Sequence, residues 1–206
     1  MIAILQCETG DPKRMQKALV SLGADAQIID SIEGIGRASK IVITSGTSFR
    51  ETVRCIRDRG LIAPLLRATE DGRAVLAVSL GLHLLMDVSH EDGQHTGLGA
   101  IHGKVTRFDF GDHPAARHFV LPHQGWNQVV WSGDCPLLTG LHSGEYFYFD
   151  HSCHAEPLDE RTIGARSNHG VDFAAVLWQG RIFGTQFLPE RSEEAGRKLL
   201  ANFLAI

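Results

Sequence analysis

Ser79 is the first residue whose setting suggests chemistry. It follows the apolar run Ala74–Val78 and leads through Leu80-Gly81 into a second apolar stretch. A strand turning this sharply into a helix has the form of a nucleophile elbow. Such a turn exposes one side chain at the strand's end and aims it at the helix's first amides. The small neighbours Ala77 and Gly81 suit the crowding of that turn. Read alone, the serine has a plainer role, because serine at a helix start is an ordinary N-cap. A serine nucleophile needs a base, and the chain has 11 histidines. His83 lies one helical turn beyond Ser79. His151 and His154 follow the aromatic segment 146–149, on what reads as a loop. With Cys7 and Cys153, these histidines are also the residue types that hold zinc. None of their spacings has strong precedent, His151-x-x-His154 included, so neither a metal nor another cofactor is expected.

The elements that must position these groups are those of an α/β protein. Ile2–Leu5, Ala26–Ile29, residues 40–44 and Ala74–Val78 are short apolar runs that read as buried strands. Between them come helical patterns. Asp11 caps the first, Pro12 suits its first turn, Met15, Ala18, Leu19 and Leu22 recur at helical spacing, and Gly23 ends it. Residues 51–59 and 61–70, broken at Gly60, and 80–86 supply further helices. Strands alternating with helices predict βαβ units and a mainly parallel sheet. The second half changes character. Residues 105–110, 128–131, 146–149, 174–178 and 181–185 read as added, antiparallel strands, with Gln179-Gly180 as a hairpin turn. A last helix covers 192–204, with Ala195, Leu199 and Phe203 on one face. With 206 residues, 43% of them hydrophobic, and no linker or repeat, the chain reads as one flavodoxin-like domain over 1–206. In such sheets ligands sit at the carboxyl ends of the strands, which here means the loops after Leu5, Thr44 and Val78.

Composition narrows the partners. The formal net charge is −4 and no basic run occurs, which argues against nucleic acid and anionic membranes. The four cysteines are scattered, as expected in a reducing cytoplasm. The N-terminus has no basic segment and only a short apolar run, so no signal peptide is expected. No apolar run is long enough to span a bilayer.

Longer motifs carry a family resemblance. Val75-Leu76-Ala77-Val78-Ser79-Leu80-Gly81-Leu82-His83-Leu84-Leu85 resembles the glutaminase elbow G-I-C-L-G-M-Q-L-L. Gln186-Phe187-Leu188-Pro189-Glu190-Arg191-Ser192 resembles Q-F-H-P-E-K-S. Both belong to class I glutamine amidotransferases. Three further stretches resemble the glutaminase subunit (HisH) of imidazole glycerol phosphate synthase: Pro122-His123-Gln124-Gly125-Trp126-Asn127, Tyr146-Phe147-Tyr148-Phe149-Asp150-His151-Ser152, and Gly97-Leu98-Gly99-Ala100-Ile101-His102-Gly103. The resemblance runs in order along nearly the whole chain. It implies a Cys-His-Glu triad acting on the glutamine side-chain amide, with ammonia passed to a separate (β/α)8 cyclase subunit (HisF-like) in a heterodimer. It further implies that Gly46, Gly81, His83, His151 and Ser152, with Ser45 and Thr47, frame the substrate and oxyanion region. Trp126, Asn127 and Tyr148 would lie toward the partner.

The chain departs from this pattern where the chemistry would occur. The nucleophile position is Ser79, and the base position is Leu188, which cannot carry a proton. Glu190 keeps the third position with no imidazole there to orient. His83 replaces the glutamine that helps hold substrate. The oxyanion loop P-G-V-G reads Thr44-Ser45-Gly46-Thr47, and the first-strand loop reads Gln6-Cys7-Glu8-Thr9-Gly10-Asp11. Loss of one triad member costs on the order of 10⁶ in turnover. A serine substituted as a laboratory trap would account for Ser79 but not for Leu188, His83 and the altered loop together. The expected reading is a non-hydrolytic homologue that still docks on a cyclase-like barrel, with glutamine as the candidate occupant of its vestigial pocket. Three alternatives stand beside it: a rewired serine hydrolase or transferase at Ser79, a histidine–cysteine metal binder, and a paralogue supplying ammonia for sugar modification.

Overall fold

A computed structural model of the chain describes residues 1–6, 12–44, 46, 48–111 and 118–206. Seven strands make the central sheet: β1 (Ile2–Leu5), β2 (Ala26–Ile29), β3 (Lys40–Ile43), β4 (Ala74–Val78), β11 (Ile163–Asn168), β12 (Asp172–Gln179) and β13 (Ile182–Thr185). Their order is β11-β12-β13-β4-β3-β1-β2. The block from β13 to β2 is parallel, while β12 and β11 extend it antiparallel. This is the mainly parallel α/β sheet with antiparallel additions that the alternation of patterns predicts.

The parallel strands are apolar throughout because both faces are covered. Ile4, Val42, Leu76 and Val78 point to one side, where α1 (Pro12–Ser21) and α6 (Glu193–Ala205) contribute Met15, Leu19, Leu199 and Phe203. Leu5, Ile41, Ile43 and Ala77 point to the other. There α2 (Ile32–Arg37), α3 (Phe49–Asp58), α4 (Ile62–Glu70) and α5 (Leu80–Leu84) close the second layer, with Ile35, Ile56, Leu65 and Leu82 inward. None of the helices among the described residues is long and apolar enough to cross a membrane.

Several boundaries differ from the sequence reading for identifiable reasons. Helix α3 starts at Phe49 rather than 51, because Ser48 caps it by accepting a bond from the Glu51 amide. Helix α2 went unpredicted. Two glycines in its six residues erase the propensity signal, and Ser31 holds its first turn through the Gly34 amide. Helix α5 stops at Leu84, short of the expected 86. The hairpin turn falls on Gly180-Arg181, one residue later than Gln179-Gly180, since Gln179 still pairs with Ile182. The proposed cap Asp11 lies outside the described residues.

The second half adds two smaller sheets. One orders β10 (Cys153–Pro157), β7 (Gly103–Arg107), β5 (Val88–Ser89) and β6 (His95–Thr96). The other is a two-stranded ribbon of β8 (His123–Gln128) and β9 (Tyr146–His151), paired from His123 opposite His151 to Gln128 opposite Tyr146. The strand expected at 128–131 is therefore the end of β8 and the bridge at Val130 beyond it. The glycine and polar residues of His123-Gln-Gly-Trp-Asn conceal a strand from propensity arguments.

Candidate functional site

Ser79 sits where β4 passes into α5, with φ 53° and ψ −111°. This is one of three non-glycine residues with positive φ among those described. Two backbone bonds hold the turn: the Ser79 amide donates to Thr185 O at 2.6 Å, and its carbonyl accepts from the His83 amide at 3.2 Å. Gly81 lets the turn nest against β3. A Cβ there would lie 2.3 Å from the carbonyl oxygen of Ile43. The elbow geometry is thus intact around a residue that is itself a serine, and Ser79 makes no side-chain capping bond. The N-cap reading of that serine is set aside.

The elbow opens into a cavity of about 530 Å³. Leu188 and Glu190 line it, as do Thr44, Gly46, His83, His151 and Ser152. So the two outer triad positions and most of the expected substrate region converge with Ser79 on one space. Gly81 sits behind the turn. Ser45, Thr47 and Cys7 lie outside the described residues. The turn carrying Leu188 and Glu190 (Pro189–Arg191) is fastened to the ribbon. The Leu188 amide donates to Tyr148 O at 2.9 Å, and Ser192 Oγ donates to Leu188 O at 2.7 Å while accepting from the Tyr148 amide at 3.0 Å. Ser192 was matched in the motif, but its role as a bolt emerges only from the structure.

The histidines are committed elsewhere. His83 is buried, and its Nε2 meets Gln186 Oε1 at 2.9 Å rather than Ser79. Burial is the main force lowering its pKa, to about 4. His151 ends β9 and His154 lies within β10, not on a loop as the sequence reading has it. His151 uses both ring nitrogens: Nδ1–H donates to Cys153 O at 2.8 Å, and Nε2 accepts from His123 at 2.9 Å. His154 has its pKa lowered, chiefly by burial, and its Nε2 is 4.0 Å from Glu156. Among the described residues no group of three or more His, Cys, Asp or Glu could hold a metal ion, and burial pushes the Cys153 thiol up to about 12.

Charged side chains that sequence reading did not single out complete the cavity wall. They are Arg14, Arg107 and Arg191, together with Glu91, Asp92 and Asp150. Arg191 stacks 4.0 Å over the Tyr148 ring and lies 3.7 Å from Asp150. Trp126 and Tyr148 meet edge-on at 6.0 Å on the outer face of the ribbon, with Trp126 47% exposed. Asn127 faces the other way, bonded to His123 and to Asn168 O.

An elbow at the carboxyl end of β4, facing a turn that bears the second and third positions, in this sheet order, defines a class. The chain belongs to the class I glutamine amidotransferases, whose family model matches residues 12–206. Among curated proteins it is similar to the imidazole glycerol phosphate synthase subunit HisH of Syntrophotalea carbinolica, 35% identical over 203 residues and 98% of both chains. It is also similar to HisH of Geobacillus kaustophilus, 35% identical over 206 residues, covering 100% of this chain and 97% of the other. A crystal structure of a glutamine amidotransferase shares the fold with a TM-score of 0.77 at 18% identity, covering 99% of this chain and 97% of that one. The structure of PurLQS from Thermotoga maritima does so at 0.73 and 15%, with the same coverage.

Proposed function

We propose that this chain is a HisH-type subunit that does not hydrolyse glutamine, and that it keeps the amidotransferase pocket and docking ribbon for binding a small amide or amino acid and a (β/α)8 cyclase partner. The observation that carries the reading is Leu188. It lines the cavity beside Ser79 and Glu190, at the position where a general base is required, and it has no group to accept the hydroxyl proton. A relocated base finds little support. His151 has neither ring nitrogen free, and His83 is turned to Gln186 with its pKa near 4, too low for efficient base work near neutrality. The rewired serine hydrolase is therefore the weaker alternative.

The pocket has not collapsed around the lost triad. Its volume suits a small ligand, and its wall carries both Arg107 and Arg191 and the carboxylates of Glu91 and Asp150, a mixture that suits a zwitterion. The exposed Trp126 and Tyr146 on the ribbon are the aromatic anchors expected of a partner face. Docking is tested by light scattering of the chain mixed with its cognate cyclase at micromolar concentration. A one-to-one complex is expected. Its absence, with both proteins folded, refutes the partner half of the proposal.

A further inference from the structure

The ribbon β8–β9 forms a sheet of its own, so something other than a strand ladder must seat it on the domain. Its far end is held by Phe147 stacked on Phe187 at 4.1 Å and by the bonds from Tyr148 to Leu188 and Ser192. Its pocket end is held by histidines. His123 and His151 face each other across the ribbon and point inward, both over 90% buried. They pack with Phe108, Phe149 and Phe173 at ring separations between 4.9 and 6.5 Å.

Hydrogen-bond accounting fixes every proton in this pair. Asn127 Oδ1 accepts from the Gln128 amide, so its nitrogen must be the atom that donates to Asn168 O and to His123 Nε2, at 2.8 and 3.0 Å. His123 Nε2 therefore carries no proton, and its Nδ1–H donates to His151 Nε2 at 2.9 Å. His151 Nε2 is unprotonated in turn, and its Nδ1–H donates to Cys153 O at 2.8 Å. One more proton on either ring sets two donors against each other, at His123–His151 or at His123–Asn127. Reversing the tautomers does not help, because Asn127 is locked by its two backbone partners.

Among the described residues, the groups whose charge bears most directly on the pair are themselves basic. His169, from the β11–β12 turn, stacks on His123 at 4.1 Å, and His83 of α5 and His154 of β10 face His151. Each of these is neutral or a cation. Of the carboxylates nearby, Glu156 lies beside Lys104 and His154, Asp150 lies beside Arg191, and Glu91 is 4.0 Å from His83, while Asp92 and Glu190 line the cavity that His151 borders. Arg107, in the cavity wall, adds positive charge.

We propose that His123 and His151 are positioning residues, a clasp that seats the pocket end of the ribbon only while both rings are uncharged, so that acid releases that end from the domain. The released segment includes Asp150, His151 and Ser152, which wall the cavity. The clasp thereby makes the pocket's shape, and the partner face continuous with it, sensitive to protons. Burial lowers the basicity of both rings, that of His123 to about 4, so the release needs acid well below neutrality. This holds whether or not the pocket hydrolyses anything.

The test uses the unmodified protein. Nitrogen-15 spectra of the histidine side chains report tautomer and charge, and amide hydrogen exchange, corrected for intrinsic rate, reports seating. Expected at pH 7 are two neutral Nδ1–H rings. As the pH falls from 6 through about 4, where His123 titrates, one of the pair should gain a proton as amides at 123–124 and 149–151 lose at least tenfold protection, while those of β4 do not. An Nε2–H tautomer on either ring at pH 7 overturns the clasp. So does protonation that leaves ribbon protection unchanged, or a loss of protection that β4 shares in the same step.

Discussion

Replacing Ser79 with glycine should stabilise this protein, although it deletes the residue at the centre of the site. The backbone at φ 53° and ψ −111° lies outside the wells open to an L-residue. Holding a non-glycine residue in such a region costs about 1–3 kcal/mol. Glycine removes that strain but loses more chain entropy on folding, about 0.5–1 kcal/mol. The Ser79 hydroxyl makes no side-chain capping bond, so no such bond is forfeited. The net gain is about 1 kcal/mol, or roughly 2–4 °C in melting temperature for a chain of this size. Ser79→Ala keeps the strained backbone and should leave stability within about 0.5 kcal/mol of the parent. Calorimetry and urea titration of the three proteins measure both differences. A glycine variant less stable than the alanine variant would mean that the elbow is not strained, and the claim of intact elbow geometry would fall with it.

Gly81→Ala should have the opposite effect, because its methyl group would meet the Ile43 carbonyl at 2.3 Å. A loss of about 1–3 kcal/mol by urea titration is expected. Ser192→Ala removes the acceptor of the Tyr148 amide at a site 1% exposed and leaves the Leu188 carbonyl with the Arg191 amide as its donor. It should cost about 1–3 kcal/mol and raise exchange at Tyr148 and Leu188 selectively. His83 is buried with a pKa lowered from 6.5 to about 4, so as pH falls the unfolded chain takes up that proton first. Its contribution is intact above pH 6.5 and is lost progressively down to pH 4, on the order of 3 kcal/mol in all. Urea titration of a His83→Gln variant, compared with the parent at pH 7 and pH 4.5, should show a flatter pH dependence.

The fold was legible because its signals are local. The apolar runs of β1, β3 and β4 and the spacing of Met15 and Leu19 announce a parallel sheet with helices on both faces. The elbow was legible for the same reason, as a strand, one polar residue and a glycine in sequence. The site as a whole was legible only by resemblance, since Ser79, Leu188 and Glu190 come together across more than a hundred residues. Hidden altogether was the partnering of the histidines. Whether His151 is a base or a clasp depends on His123 and Asn127, which reach it through ribbon pairing that Gly125 and the polar residues of β8 disguise. The mixed charge of the cavity was likewise out of reach, because Arg14, Glu91, Arg107 and Arg191 stand on four separate segments.

The central claim is that a serine at the elbow facing Leu188 leaves glutamine unhydrolysed. The most direct measurement is ammonia release from glutamine by the purified chain, alone and with the cyclase and its nucleotide ligand, beside a Ser79→Cys, Leu188→His double variant. The account predicts release indistinguishable from a no-enzyme control for the native chain in both conditions. Partner-stimulated release by the native chain that disappears in Ser79→Ala would contradict it.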